Sequence, residues 1–185
     1  MSESGWFWMF FALTVFWALG AYNRLVRLRA HVATQYTHLM TSLTGLTDLA
    51  QQAISDAVAD NHVHQPSDAL HIAACWRRLS TSSTQARVAM VRMQEHSLMP
   101  QSIDDLNQAW RLFEDTWDEL KVSPWSLLPE PLRAQWQEQR LLSQPLRRAF
   151  NQAVEQYNQA IAMWPANLVA RLFQFRPAGH LQEGS

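Results

Sequence analysis

Residues 5–22 read GWFWMFFALTVFWALGAY, a run with one aliphatic hydroxyl, Thr14, and no charge. Its 18 residues would rise roughly 27 Å as a helix, close to the ~30 Å hydrocarbon core of a bilayer. Trp6 and Trp8 lie near one end, and Trp17 and Tyr22 near the other, as interfacial aromatic belts require. Arg24, Arg27 and Arg29 follow at once. Arg24 can snorkel to the headgroups, and positive flanks resist translocation. Ala18-Leu19-Gly20 looks like a signal-peptide cleavage site, but Met1-Ser2-Glu3-Ser4 lacks the positive charge such a signal carries. The expectation is an uncleaved anchor at residues 1–23, N-terminus outside and the rest in the cytoplasm.

The rest of the chain has a different character. Of 15 Lys+Arg and 16 Asp+Glu, only Glu3 precedes Arg24, so the remainder is formally neutral. No basic excess exists to neutralise phosphates, which argues against a nucleic-acid partner. Abundant apolar residues argue against disorder. The lone Cys75 excludes an intrachain disulfide framework and suits a reducing compartment. Five glycines leave no glycine-rich phosphate loop.

From Leu25 the apolar residues recur in steps of three and four: Leu28, Val32, Tyr36, Leu39, Leu43, Leu46, Ala50, Ile54, Val58. That is a helical period, and no proline interrupts it. Residues 60–67 form a turn, with Ser67 as the expected N-cap of a second helix. Its seam is Ile72, Trp76, Leu79, Ser83, Ala86, Met90 and Met93. Residues 80–84, STSST, are expected to loosen it locally. Ser102 is the expected cap of a third helix, whose heptad seam is Ile103, Leu106, Trp110, Phe113, Trp117 and Leu120. A proline-rich loop leads to a fourth helix from about Leu132 to Trp164, with a kink at Pro145. No strand-like alternation is present. The fold class expected is all-α: an N-terminal transmembrane helix continuing into an antiparallel up-down four-helix bundle at residues 24–165, then a membrane-proximal tail at 166–185.

In that topology the fourth helix ends beside Tyr22, Asn23 and Arg24. Trp164, Pro165, Phe173 and Phe175 then join Arg27 and Arg29 as membrane-proximal residues. The tail suits either an interfacial segment or a strap on the end of the bundle. On the fourth helix Phe150, Tyr157 and Trp164 share a stripe, with Asn151 and Asn158 beside it. The bland reading is core flanked by register-setting amides; the functional one is a partner groove. Arg133, Arg140 and Arg147, seven apart, form either intra-bundle ion pairs or a docking ridge.

At these residues the chain resembles the LemA family. FNQAVEQYNQAIAMWPANLVARLFQFRP, residues 150–177, is similar to that family's repeated aromatic-Asn pairs, aromatic-Pro turn and closing Phe. Residues 21–29, AYNRLVRLR, are similar to its juxtamembrane stretch. Two departures stand out. Residues 44–52, TGLTDLAQQ, lack the basic pair, Pro and Asn usual on the first bundle helix, and Gln174 replaces a usual Gly. The resemblance implies a single-pass, N-out membrane protein with an antiparallel bundle and no established catalytic activity.

His62, His64, His71 and Cys75 gather near the first turn, at a spacing too unspecific to assign a metal. His31 and His38 are read as ordinary surface histidines rather than a pH sensor. No nucleophile elbow, HExxH or P-loop signature occurs. The expected function is a non-catalytic scaffold or adaptor in the bacterial inner membrane, without cofactor, metal or catalytic residues. The expected partners are the lipid bilayer and other envelope proteins, with a homo-oligomer left open. The alternatives are a signalling or stress-sensing module and a membrane-tethered metal-binding enzyme.

Overall fold

The computed structural model describes residues 3–59, 66–95, 99–123 and 127–182. The elements are α1 (Glu3–Ala59), α2 (Pro66–Glu95), α3 (Pro100–Lys121), α4 (Glu130–Ala162) and α5 (Ala166–Leu172). No strand occurs among the described residues. The chain is all-α, and cross-helix pairs fix its sense. Between α1 and α4, Tyr36 meets Phe150 and Gly45 faces Gln139. Between α2 and α3, Arg78 pairs with Glu119, and Ser82 Oγ lies 2.6 Å from Thr116 Oγ1. Between α3 and α4, Glu114 faces Arg147 and Trp117 stacks on Trp136. In every pair the numbering rises on one helix and falls on the other, so neighbours are antiparallel.

The periodic seams become the core, except that Val58 near the end of α1 is exposed. Leu25, Val32, Leu39, Leu43, Leu46 and Ala50 of α1 are buried, and so are all six seam residues of α3. One layer of the core is aromatic. Trp117 and Trp136 stack with centroids 4.0 Å apart, and Phe113 meets Trp136 edge-on at 5.3 Å. Such rings bury large apolar areas and prefer offset or edge contacts. STSST does not interrupt α2. Ser82, Ser83 and Thr84 bond back to carbonyls one turn earlier, and Ser82 also bonds Thr116 across the interface.

Three boundaries differ from expectation. α2 opens at Pro66 and α3 at Pro100, ahead of Ser67 and Ser102. Proline presets the first helical φ and has no N–H to satisfy, so it starts a helix without a serine cap. Met99, the actual cap of α3, makes no side-chain cap bond. α4 stops at Ala162, so Trp164 leaves the Phe150–Tyr157 stripe and is 77% exposed. α4 runs through Pro145 as one helix. His62 and His64 lie outside the described residues.

α1 runs without a break from the apolar run into the bundle. It is long and apolar enough to cross a membrane, and only 6% of its most apolar window is buried. Trp6, Phe7, Trp8, Phe10, Phe11 and Phe16 are all exposed.

Candidate functional site: a strapped groove between α3 and α4

Phe150 and Tyr157 point into the core, fully and almost fully buried. The next residue on a helix is turned about 100°. Asn151 and Asn158 therefore face sideways, into the groove between α4 and α3. Asn107 faces the same groove from α3, following the buried Leu106. The groove is filled by residues 176–182, which run without helical structure along α4 toward its N-terminus.

The three carboxamides hold this strap by its backbone. Asn158 Nδ2 donates to Ala178 O at 2.8 Å, and Asn158 Oδ1 accepts from Ala178 N at 2.9 Å. Asn151 does the same to Leu181, at 2.7 and 2.9 Å. Asn107 donates to His180 O at 3.2 Å and accepts from Gln182 N at 2.9 Å. A carboxamide offers one donor face and one acceptor, as a peptide unit does. Each asparagine thus stands in for a strand partner, and the strap needs no sheet to satisfy its buried backbone. Tyr157 Oη donates to Arg176 O at 2.9 Å, at the strap's start. Burial raises the Tyr157 pKa, and the Arg29 charge partly offsets that rise. Ala178 and Leu181 are the strap's buried side chains. At Gly179 a Cβ would lie 3.2 Å from both Pro100 Cα and Ile103 Cδ1, so any larger residue would push α3 and the strap apart by a few tenths of an ångström.

At the strap's far end lies a cavity of about 280 Å³, lined by Trp110, Arg111, Glu114, Arg140, Arg147 and Gln182 among others. Arg147 is the buried cation of the site. Its Nη2 lies 3.6 Å from Glu114 Oε1, its guanidinium sits 5.4 Å from the Trp110 ring centroid, and Nη1 donates to Gln182 O at 3.4 Å. Burial lowers its pKa; Glu114 counters that and Arg140 adds to it. Arg140 faces the same Glu114 at 3.7 Å and Asp118 at 3.9 Å. Arg133 pairs with Glu130 on its own helix at 2.7 Å. The seven-residue arginine row therefore lies in intra-bundle ion pairs.

The strap reaches the groove through α5, which ends in a Schellman motif. Phe175 N donates to Ala170 O at 2.9 Å, and Gln174 N to Arg171 O at 3.3 Å. Gln174 occupies the left-handed position of that motif, with φ 55°. Glycine is the residue that conformation favours. Nearby, Tyr22 meets Phe173 and Phe175 with ring centroids 4.7 and 6.0 Å apart. Asn23, Arg24, Arg27 and Arg29 are exposed on α1, and Pro165 is half-buried at the elbow before α5.

The structure brings Asn151, Asn158, Tyr157 and Arg147 together at the strap and keeps Phe150 in the core. Asn107 was missed in the sequence, and the tail, expected as an interfacial segment or a strap on the end of the bundle, runs as a strap along α4. A signal existed: Leu106-Asn107 repeats the pattern of Phe150-Asn151 and Tyr157-Asn158, a seam residue followed by Asn. Among the described residues, no group of three or more His, Cys, Asp or Glu side chains converges to hold a metal ion.

An antiparallel helical bundle with an apolar leading helix, closed by its own extended C-terminal strap, is the class these features define. The model of the LemA family matches residues 136–183, and over those residues the chain is similar to that family. The match covers most of α4, all of α5 and the described strap. It therefore includes both asparagines of α4 and the tail they hold. No curated protein and no solved structure matches the chain.

Proposed function

We propose that the chain is a single-pass, non-catalytic scaffold of the bacterial cytoplasmic membrane, N-terminus outside and bundle inside. Its α3–α4 groove is the element that handles polypeptide. The carrying observation is the asparagine set. Paired donors and acceptors that grip N–H and C=O groups together recognise extended backbone, as strand addition does. They supply no nucleophile or proton-transfer group. In this structure the backbone held is the chain's own, and the scaffold reading extends the same grip to an extended segment of an envelope protein.

Photo-crosslinkers at Arg111 and Asp115, beside the groove's end, test this in native membranes. The comparison is between the full chain and one ended at Arg176, which leaves the asparagines in place. Recurrent adducts with one protein, stronger for the shortened chain, support the reading. Adducts within the chain only, in both forms, would sink it. Topology is tested separately by labelling Ser2→Cys and Glu183→Cys in intact cells. Labelling at 183 from outside reverses the orientation.

A second reading, a signalling or stress-sensing module, is favoured by one feature. α1 is a single helix from Glu3 to Ala59, joining the apolar run to the bundle core. Crosslinking across α1 that changes with lipid composition separates it from a static scaffold.

A further inference from the structure

The segment between α4 and the strap is apolar on both sides. Val169 and Ala170 are buried against Leu25 and Ala160, with Ala18, Ala21 and Tyr22 packed around them. On the outer side, Leu168 and Leu172 lie one turn apart and are 58% and 77% exposed. Met163 and Phe173 are also more than half exposed, beside Trp164. Adjacent large apolar side chains left in water form a patch of the kind that marks an interaction surface.

We propose that this patch is a second lipid contact, with α5 lying in the membrane interface beside the anchor. The proposal rests on the reading of α1 as that anchor. Position is the first argument. α5 packs on α1 at the level of Ala18 to Leu25, and Ala18 lies inside the apolar run. Those seven steps cover ~10 Å along the helix. A span ending near Tyr22 therefore holds α5 at the headgroup–acyl boundary, where an amphipathic helix buries its apolar face.

Composition is the second argument. Trp164 is exposed at the elbow, and Trp favours the interface. Residues 163–182 contain no Asp or Glu, while Arg171 and Arg176 are exposed and Arg24 and Arg27 stand nearby on α1. Cations at the rim of an apolar patch suit an anionic leaflet. A protein partner on the same patch would have to share this depth with the lipid.

The test uses the full chain in phosphatidylglycerol–phosphatidylethanolamine vesicles. In a Cys75→Ala background, single cysteines at Leu168→Cys and Leu172→Cys carry an environment-sensitive fluorophore. Leu13→Cys reports on the anchor and Leu141→Cys on the exposed bundle surface. The expected result is blue-shifted emission at 168 and 172, quenched by shallow spin-labelled lipid and protected from aqueous iodide. Position 141 should show the opposite. Iodide quenching at 168 and 172, with lipid quenching kept at 13, overturns the proposal and leaves the anchor standing. Protection at 168 and 172 from both quenchers also overturns it, because a protein surface then covers the patch. Iodide quenching at 13 removes the anchor, and this inference with it.

Discussion

α5 and the strap are consecutive in the chain, yet they are held by opposite means. α5 is held by apolar packing and leaves Leu168, Leu172 and Phe173 exposed. The strap is held by carboxamides, a phenol and a guanidinium acting on its backbone. Only Ala178 and Leu181 of residues 176–182 are buried apolar side chains. Apolar packing is non-directional and survives small shifts. Side chain–backbone pairs are directional, and a lost partner strands a buried polar group. The strap should therefore be the more easily released of the two, with α5 as the hinge that stays docked.

Arg147 is where the strap's grip meets the bundle's own ion pairs, so its loss should be the largest effect. Arg147→Met strips Glu114 of a buried partner and Gln182 O of a donor. Leaving a buried charge wholly unpaired costs about 3 kcal/mol or more, and Arg140, 3.7 Å from Glu114, holds the loss to about 2 kcal/mol or more. Chemical denaturation should show a loss of that size, and a double variant Arg147→Met with Glu114→Gln should recover part of it. A loss below about 1 kcal/mol, the level of exposed pairs, would mean that solvent reaches the pair.

Asn151→Ala removes both bonds to Leu181, at a cost of about 2 kcal/mol. The loss is capped, because the strap can peel away and rehydrate. Adding Asn158→Ala should then cost much less than it does singly. Hydrogen exchange should quicken at residues 178–182 and stay slow at Val169 and Ala170. Equal acceleration in both regions would erase the contrast between them.

Gln174→Gly tests the joint between the two regions. A non-glycine residue at φ 55° carries a cost of about 1 kcal/mol. The glycine variant should be more stable by up to about 1 kcal/mol, less the entropy that glycine adds to the unfolded chain. No gain, or a loss, in a denaturation series would mean that the Gln174 side chain contributes something its conformation does not reveal.

How much of this was legible in the sequence follows from range. The seams of the first three helices were readable because a buried stripe repeats every three to four residues within one helix, while on α4 only Phe150 and Tyr157 of the expected stripe are buried. The apolar run was readable because it has a single uniform chemistry. A strap was one of two readings of the tail, but its course along α4 and its partners were not readable. Ala178, Gly179 and Leu181 have no period, and their partners lie up to 75 positions away, as in Gln182 with Asn107. The asparagines were picked out by their spacing, but spacing does not say what a carboxamide binds. The arginine row shows the same limit from the other side. Its seven-residue spacing on α4 could be read, but the α3 acids it meets could only be seen once the helices were packed. Proline starts displaced the serine caps because both are good openings, and the local sequence does not rank them.

The smallest effect is the ionisation of two phenols, which acts only in alkali. Tyr36 Oη donates to Met90 O at 3.0 Å, and burial pushes its pKa from 10.0 up to about 12. Tyr157 is raised in the same direction. A raised folded pKa means the native state keeps its proton where the unfolded chain has lost it. The stabilisation is complete below pH 10 and is lost as pH climbs from 10 through about 12. The two phenols report on different regions. Tyr36 joins α1 to α2, so Tyr36→Phe should flatten the alkaline fall in global stability. Tyr157 holds the strap at Arg176 O, and its phenolate can no longer donate that bond. In the wild type, strap protection relative to the intrinsic exchange rate should fall above pH 10, and Tyr157→Phe should remove that fall while lowering strap protection at neutral pH. If the strap of Tyr157→Phe still loosens in alkali with the wild-type profile, its release follows the bundle as a whole, and the independence argued for it is wrong.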